Sequence, residues 1–346
     1  MRPVPSFYKP LYALTKRYAL RAVTYVAPRI LAVIAQLVFL PFVLHSLTLR
    51  DYGLFSVASM IGNFVALLSF PQVTYGSKVA IARGQLGQFF YSLFKRTMIS
   101  LPLFVIASTI LLFAHTYLGR TLIVTTIVVL SSTLLSNIMA QSAISFWVAR
   151  EQFFRSSMIE LARAVVVNGI GALAALGARD LVVFALVRSV ADLIFSLGVV
   201  LSSARANDLW SEYKKRNIDY ALTGFGLRMF WANCALVART EGMSFVVAAH
   251  FGVDAVGIFR LAYSNIYYRL QNQLSNLTDL VYASNAREGR RVSAGRRLKQ
   301  YVALGLVGVG VAILGLMSSY IYIMYTLPPQ YHVAFRYVAV LLIALP

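Results

Sequence analysis

Long apolar runs alternate with short polar connections along nearly the whole chain. Most are close to the ~20 residues a helix needs to cross the hydrocarbon core of a bilayer. The pattern predicts ten spans, near residues 23–45, 54–71, 97–115, 119–140, 158–177, 181–201, 222–248, 256–280, 300–325 and 334–346. Pro28 and Pro41 interrupt the first, Pro71 closes the second and Pro102 sits in the third. Two prolines in one span, with Arg29 beside Pro28, point to a helix that bends over a cavity. In the fourth span Thr133, Asn137, Gln141 and Ser145 recur every four residues, on one slowly drifting face. That row lines a lumen or bonds to neighbouring helices.

Composition agrees with an all-α polytopic membrane protein: 59% hydrophobic residues, 13% charged and a mean hydropathy of +0.71. The net charge of +20 would suit a nucleic-acid binder, but its distribution argues against one. Of 32 Lys and Arg, 22 fall in the N-terminus and in connections 72–96, 149–163, 202–217 and 285–299. The alternate connections carry only Arg50, Arg120 and Arg179. The positive-inside rule therefore predicts a cytoplasmic N-terminus and basic loops lying against anionic lipid headgroups. The basic N-terminus has no small-residue cleavage site, so the first span is read as retained. Cys234 is the sole cysteine, which leaves no intrachain disulfide, and the four scattered histidines have no metal-ligand spacing.

One stretch departs from the apolar rule. Residues 239–279 carry Arg239, Glu241, Arg260, Arg269 and Asp279 among many Asn, Gln and Tyr. Ionisable groups at membrane depth cost a few kcal/mol each unless they face water or a partner. The stretch reads as two helices, joined by a short turn, that wall a hydrophilic cavity. Arg228 and Arg239 are 11 residues apart, about 20° from whole turns, so they share a face roughly 16 Å apart. Arg228 either faces the cavity or snorkels to the surface. Glu241 points away from Arg239 and is a candidate for carrying a coupling ion. In the next span Asn265, Arg269, Asn272, Asn276 and Asp279 form one polar stripe, with Asp279 a second ion-coupling candidate. Arg260, nine residues before Arg269, projects from the opposite side of a regular helix. Arg188 and Asp192 are spaced i,i+4, so Asp192 either neutralises Arg188 or takes part in ion coupling. Arg29 has no local acid, which places it at the cytoplasmic mouth of the cavity.

The chain also contains a short repeat. Tyr52-Gly53-Leu54-Phe55-Ser56-Val57-Ala58 resembles Val256-Gly257-Ile258-Phe259-Arg260-Leu261-Ala262 at an offset of 204, each after an aspartate. Both open a span from the non-cytoplasmic side, as in two parallel six-helix units with a site between them. The division this predicts is a basic N-terminus 1–21, a first six-helix bundle 22–204, a linker 205–219 and a second bundle 220–346. Two such units need a chain of about 410 residues, so the second bundle is expected to be incomplete, truncated after about four helices.

Ser46-Leu47-Thr48-Leu49-Arg50-Asp51-Tyr52-Gly53-Leu54-Phe55-Ser56 resembles the turn after the first helix in bacterial polysaccharide flippases. Phe251-Gly252-Val253-Asp254-Ala255-Val256-Gly257-Ile258-Phe259 is similar to their second-half turn. The basic loop after Val281-Tyr282-Ala283-Ser284 is similar to their eighth-to-ninth helix connection. The resemblance is to the multidrug, oligosaccharidyl-lipid and polysaccharide exporter superfamily, and covers nearly the whole chain. It implies alternating access of a cationic cavity between two six-helix bundles in the bacterial inner membrane. The cargo implied is an undecaprenyl-pyrophosphate-linked oligosaccharide repeat unit, for O-antigen, capsule or exopolysaccharide. Partners implied are membrane lipids, a polysaccharide polymerase and a chain-length regulator, with no cofactor beyond coupling to H+ or Na+. Arg29, Arg228, Arg239, Arg260, Arg269, Asn265, Asn272 and Asn276 are the expected substrate-binding residues. Arginine forks suit phosphate oxygens. The lipid II flippases of this superfamily place an arginine early in the eighth helix, which keeps Arg260 beside Arg269.

Other readings are a multidrug or metabolite antiporter of the same superfamily, a membrane-embedded sugar transferase, or an inactive truncated remnant. An exporter of cationic drugs should bury more acids than bases, yet six intramembrane arginines stand against Asp192, Glu241 and Asp279. A transferase needs catalytic acids on a sizeable external loop, and these loops are a few residues long.

Overall fold

The computed structural model describes residues 8–68, 73–114, 119–215, 218, 230–268, 270–271 and 294–343, with side chains from residue 27 onward. Among them there is no strand. The helices are α1 (Tyr8–Ser46), α2 (Leu49–Leu68), α3 (Val73–Ala82), α4 (Gln88–Phe113), α5 (Arg120–Ala149), α6 (Phe153–Ala178), α7 (Leu181–Ala206) and α8 (Leu209–Lys214). They continue with α9 (Phe230–Arg260), a π-helical segment Leu261–Tyr267, α10 (Ala294–Thr326) and α11 (Ala334–Ile343). Eight helical stretches among the described residues are long and apolar enough to cross a membrane by length and composition, one of them, Glu241–Tyr267, containing a turn at Gly252. The chain is an all-α polytopic membrane protein.

Local chemistry sets several boundaries. Thr48 caps α2: its hydroxyl accepts the Asp51 backbone N–H at 3.1 Å and donates to the Asp51 carboxylate at 2.7 Å. Asp180 caps α7 by accepting from the Val183 N–H at 2.9 Å. Two differences from the sequence reading are in the basic connections. Residues 73–82 form α3, and α4 begins at Gln88, nine residues before the predicted start. Apolar length alone misses both, because Lys78, Lys95 and Arg96 break the run. α1 runs unbroken to Ser46 with both prolines inside it.

The packing is that of a protein in an apolar solvent. Val105, Ile110, Leu173 and Ile194 are more than half exposed, while Thr125, Thr126, Ser136, Ser156 and Ser157 are fully buried. Small polar side chains let helices approach closely, and several donate back to their own helix, as Ser100 Oγ does to Arg96 O at 2.7 Å and Ser142 Oγ to Ile138 O at 2.7 Å. α5 is the central helix, packed against α2, α3, α4, α6 and α7, and α1 lies along α6. Buried aromatics close the end near the basic connections, where Phe146 meets both Phe89 and Trp147.

α9 folds back on itself. Gly252 has φ +81°, and Arg260 Nη1 lies 3.0 Å from Glu241 Oε2. In a straight helix 19 residues would separate those groups by about 28 Å. The turn expected at Gly252 is therefore present, and it carries a conformation glycine adopts readily. Both arms run along α2. A Cβ on Gly53 would collide with the carbonyl oxygen of Val253, and one on Gly257 would lie 3.3 Å from the backbone nitrogen of Gly53. Tyr322 Oη of α10 donates to Leu37 O of α1 at 2.7 Å.

Candidate functional site

A cavity of about 740 Å³ lies in the interior of the bundle. α5 supplies its longest wall: Ser132, Thr133, Asn137, Gln141 and Ser145 all face it. From Val129 to Ser145 the lined face extends about 24 Å. The four-residue polar row is thus a lumen lining. α2 adds Tyr52, Ser56, Ser59 and Asn63, and the hairpin adds Glu241, Arg260, Ser264 and Asn265. Five cationic side chains reach the cavity, Lys78, Arg96, Arg163, Arg188 and Arg260, against two acids, Asp192 and Glu241.

Both acids are held by arginines. Arg163 grips Asp192 with Nε to Oδ1 at 2.7 Å and Nη2 to Oδ2 at 2.8 Å, and Nη2 also donates to Asn137 Oδ1 at 3.0 Å. Ser136 Oγ donates to Asp192 Oδ2 at 2.7 Å. Both carboxylate oxygens are therefore engaged, which is how a buried pair offsets its desolvation cost. The i,i+4 pairing of Arg188 with Asp192 is not what forms. Arg163, which the sequence reading counts in the basic connection 149–163 and also at the start of the fifth span, takes the carboxylate from α6.

Arg188 is left without a hydrogen bond or ion pair among the described residues. Its guanidinium lies over the Phe55 ring, 5.2 Å from the centroid, a cation–π contact. Gly171 makes room for its stem, since a Cβ there would sit 3.2 Å from Arg188 Cδ. Arg188 lines the central cavity and two smaller ones of about 300 and 100 Å³.

The second held acid joins both halves of the chain. Glu241 Oε2 accepts from Arg260 at 3.0 Å and Oε1 from Asn63 Nδ2 at 2.9 Å. Arg260 Nη1 also donates to Ser56 O at 3.1 Å. Asn265 Nδ2 donates to Tyr52 Oη at 2.9 Å. Residues 261–267 wind as a π-helix, so angles counted at 100° per residue from Arg260 do not hold beyond it.

Arg29, expected to lack an acid, is ion-paired to Glu160 at 2.7 Å in the 300 Å³ cavity that also contains Arg163, Arg188 and Asp192. The structure thus brings together Asp192, Glu241, Arg260 and Asn265 of the expected site, with Arg29 in the adjoining cavity. Arg228, Arg269, Asn272, Asn276 and Asp279 lie outside the described residues, as does the side chain of Arg239.

Lys78, Arg96, Arg163 and Glu160 were not singled out in the sequence. Glu160 and Arg163 sit inside the predicted fifth span, which was signal enough. Lys78 and Arg96 resemble ordinary loop cations. Comparison of the chain with protein-family models, curated proteins and solved structures finds no match in any of the three.

Proposed function

We propose that this chain is a flippase for lipid-linked oligosaccharides, moving an undecaprenyl-pyrophosphate-linked repeat unit across the bacterial inner membrane by alternating access. The observation that carries the reading is the intramembrane cavity with five cationic side chains against two already ion-paired acids. A polar chamber of about 740 Å³ falls in the volume range of small-molecule sites, and its excess charge suits an anionic cargo. A cationic drug would meet the wrong sign.

In this proposal Arg188 is the first ligand of the pyrophosphate, since it bonds to nothing else described and its fork matches phosphate oxygens. Arg260 is the second, released from Glu241 as cargo binds. Protonation of Glu241 or Asp192 frees the paired arginine, which is a route for ion coupling. The basic connections lie in the cytoplasm.

The two-bundle repeat belongs to the same proposal. Arg260 bonds to Ser56 O and Gly257 packs on Gly53, each pair 204 residues apart, the offset of the repeat. Equivalent residues meet one another where a two-fold axis passes between two copies of a unit. Expression in a flippase-deficient bacterium supplied with its cognate repeat unit tests the function. Restored surface polysaccharide is the expected result. No restoration despite normal membrane insertion sinks the proposal.

A further inference from the structure

Arg163 makes hydrogen bonds to three residues and Arg260 to two, whereas Arg96 makes one, from Nη1 to Thr74 Oγ1 at 2.9 Å. Arg96 is only 3% exposed, and its Nε is buried with no partner among the described residues. No acid among the described residues pairs with it. Its neighbour Lys95 is exposed and lies over the Tyr91 ring at 5.6 Å, the ordinary place for a cation at a helix end. Arg96 points the other way and lines the cavity.

A buried guanidinium with most of its five donors unspent is costly unless an anion completes it. Two neighbouring side chains can donate beside it. Thr74 accepts from Arg96 and has one hydroxyl hydrogen of its own to give. Lys78 stands one turn further along α3, on the face that also presents Thr74, and lines the same cavity. This corner belongs to α3 and α4, a different wall from the α6 and α7 residues Arg163 and Arg188.

We propose that Arg96, Thr74 and Lys78 form a second oxyanion site, for a carboxylate or phosphate borne by the sugar part of the cargo. Naming the sugar part rests on the flippase reading; the site itself does not. An acidic repeat unit is then held at two points, pyrophosphate at Arg188 and sugar acid at Arg96.

The test uses the full chain in phosphatidylcholine nanodiscs, following thermal unfolding while titrating glucuronate, glucose 6-phosphate or glucose at matched ionic strength. One or both acids should stabilise the protein saturably, and glucose should not. Arg96→Gln should weaken that binding about 10-fold or more, the loss of a charge-assisted contact. Arg96→Lys should recover part of it, and Lys95→Gln, at the exposed neighbour that lies over Tyr91, should change it less than about 2-fold. If Arg96→Gln does not give monodisperse protein, Thr74→Val with Lys78→Gln must show the same weakening. Unchanged affinity in Arg96→Gln, or in Thr74→Val with Lys78→Gln where that pair is used, overturns the second site, as does equal loss in Lys95→Gln. So does stabilisation only when phosphatidylglycerol is added to the nanodisc, which marks a headgroup site. Intact sugar-acid binding with failed export would remove the flippase reading and leave the site standing.

Discussion

Two arginines face the same aspartate, and only one of them takes it. Arg163 saturates both oxygens of Asp192 and draws in Ser136 and Asn137, while Arg188, one helical turn from Asp192 on its own helix, rests on Phe55 with its donors unspent. The first arrangement is a strut: it ties α5, α6 and α7 together and neutralises itself. The second is a guanidinium with no direct ion pair among the described residues, set in place by an aromatic ring and a glycine. Charge in this cavity thus divides into pairs that tie helices together and single groups that, in the proposed function, take the cargo.

The strut is the place to break the comparison most severely. Asp192→Ala leaves Arg163 without its ion-pair partner, and losing one partner of a buried pair costs about 3–5 kcal/mol. A sharp drop in folded yield and in thermal midpoint is expected, with Asp192→Asn milder. The seam at Gly53 comes next. Gly53→Val pushes a side chain into the Val253 carbonyl and should cost about 1–3 kcal/mol, read as a lower midpoint. If Gly53→Val unfolds like the wild type, the close approach of α2 to the hairpin is not a constraint.

Phe55→Leu removes the ring beneath Arg188 and should lower export a few-fold with folding preserved, in line with a cation–π contact of roughly 0.5–2 kcal/mol. The exposed pair Lys215–Glu212 sharpens the contrast from the other side. Its hydrogen bond and charge raise the Lys215 pKa, so the contribution is present below the ordinary lysine pKa and fades as pH rises through the raised value. Glu212→Gln should return Lys215 to an ordinary titration by NMR and leave the thermal midpoint unchanged.

The span pattern was legible because apolar length and charge asymmetry are properties of the chain itself. The polar row of α5 and the turn at Gly252 were legible for the same reason, being a spacing and a residue type. Partner choice was not. Arg188 and Asp192 satisfy the i,i+4 rule, yet the fold brings Arg163 in from α6 with better geometry. Arg29 looked uncompensated until α6 set Glu160 beside it. The π-helical segment broke the angular arithmetic after Arg260, since nothing local announces it. Arg96 and Lys78 were hidden because a cation beside a span most often belongs to the headgroups.

Surface polysaccharide export by Arg188→Gln, in the flippase-deficient bacterium, tests the central claim most directly. The account predicts wild-type protein level and thermal midpoint with export reduced about 30-fold or more, the loss of a charge-assisted contact to cargo. Export at the wild-type rate would contradict it.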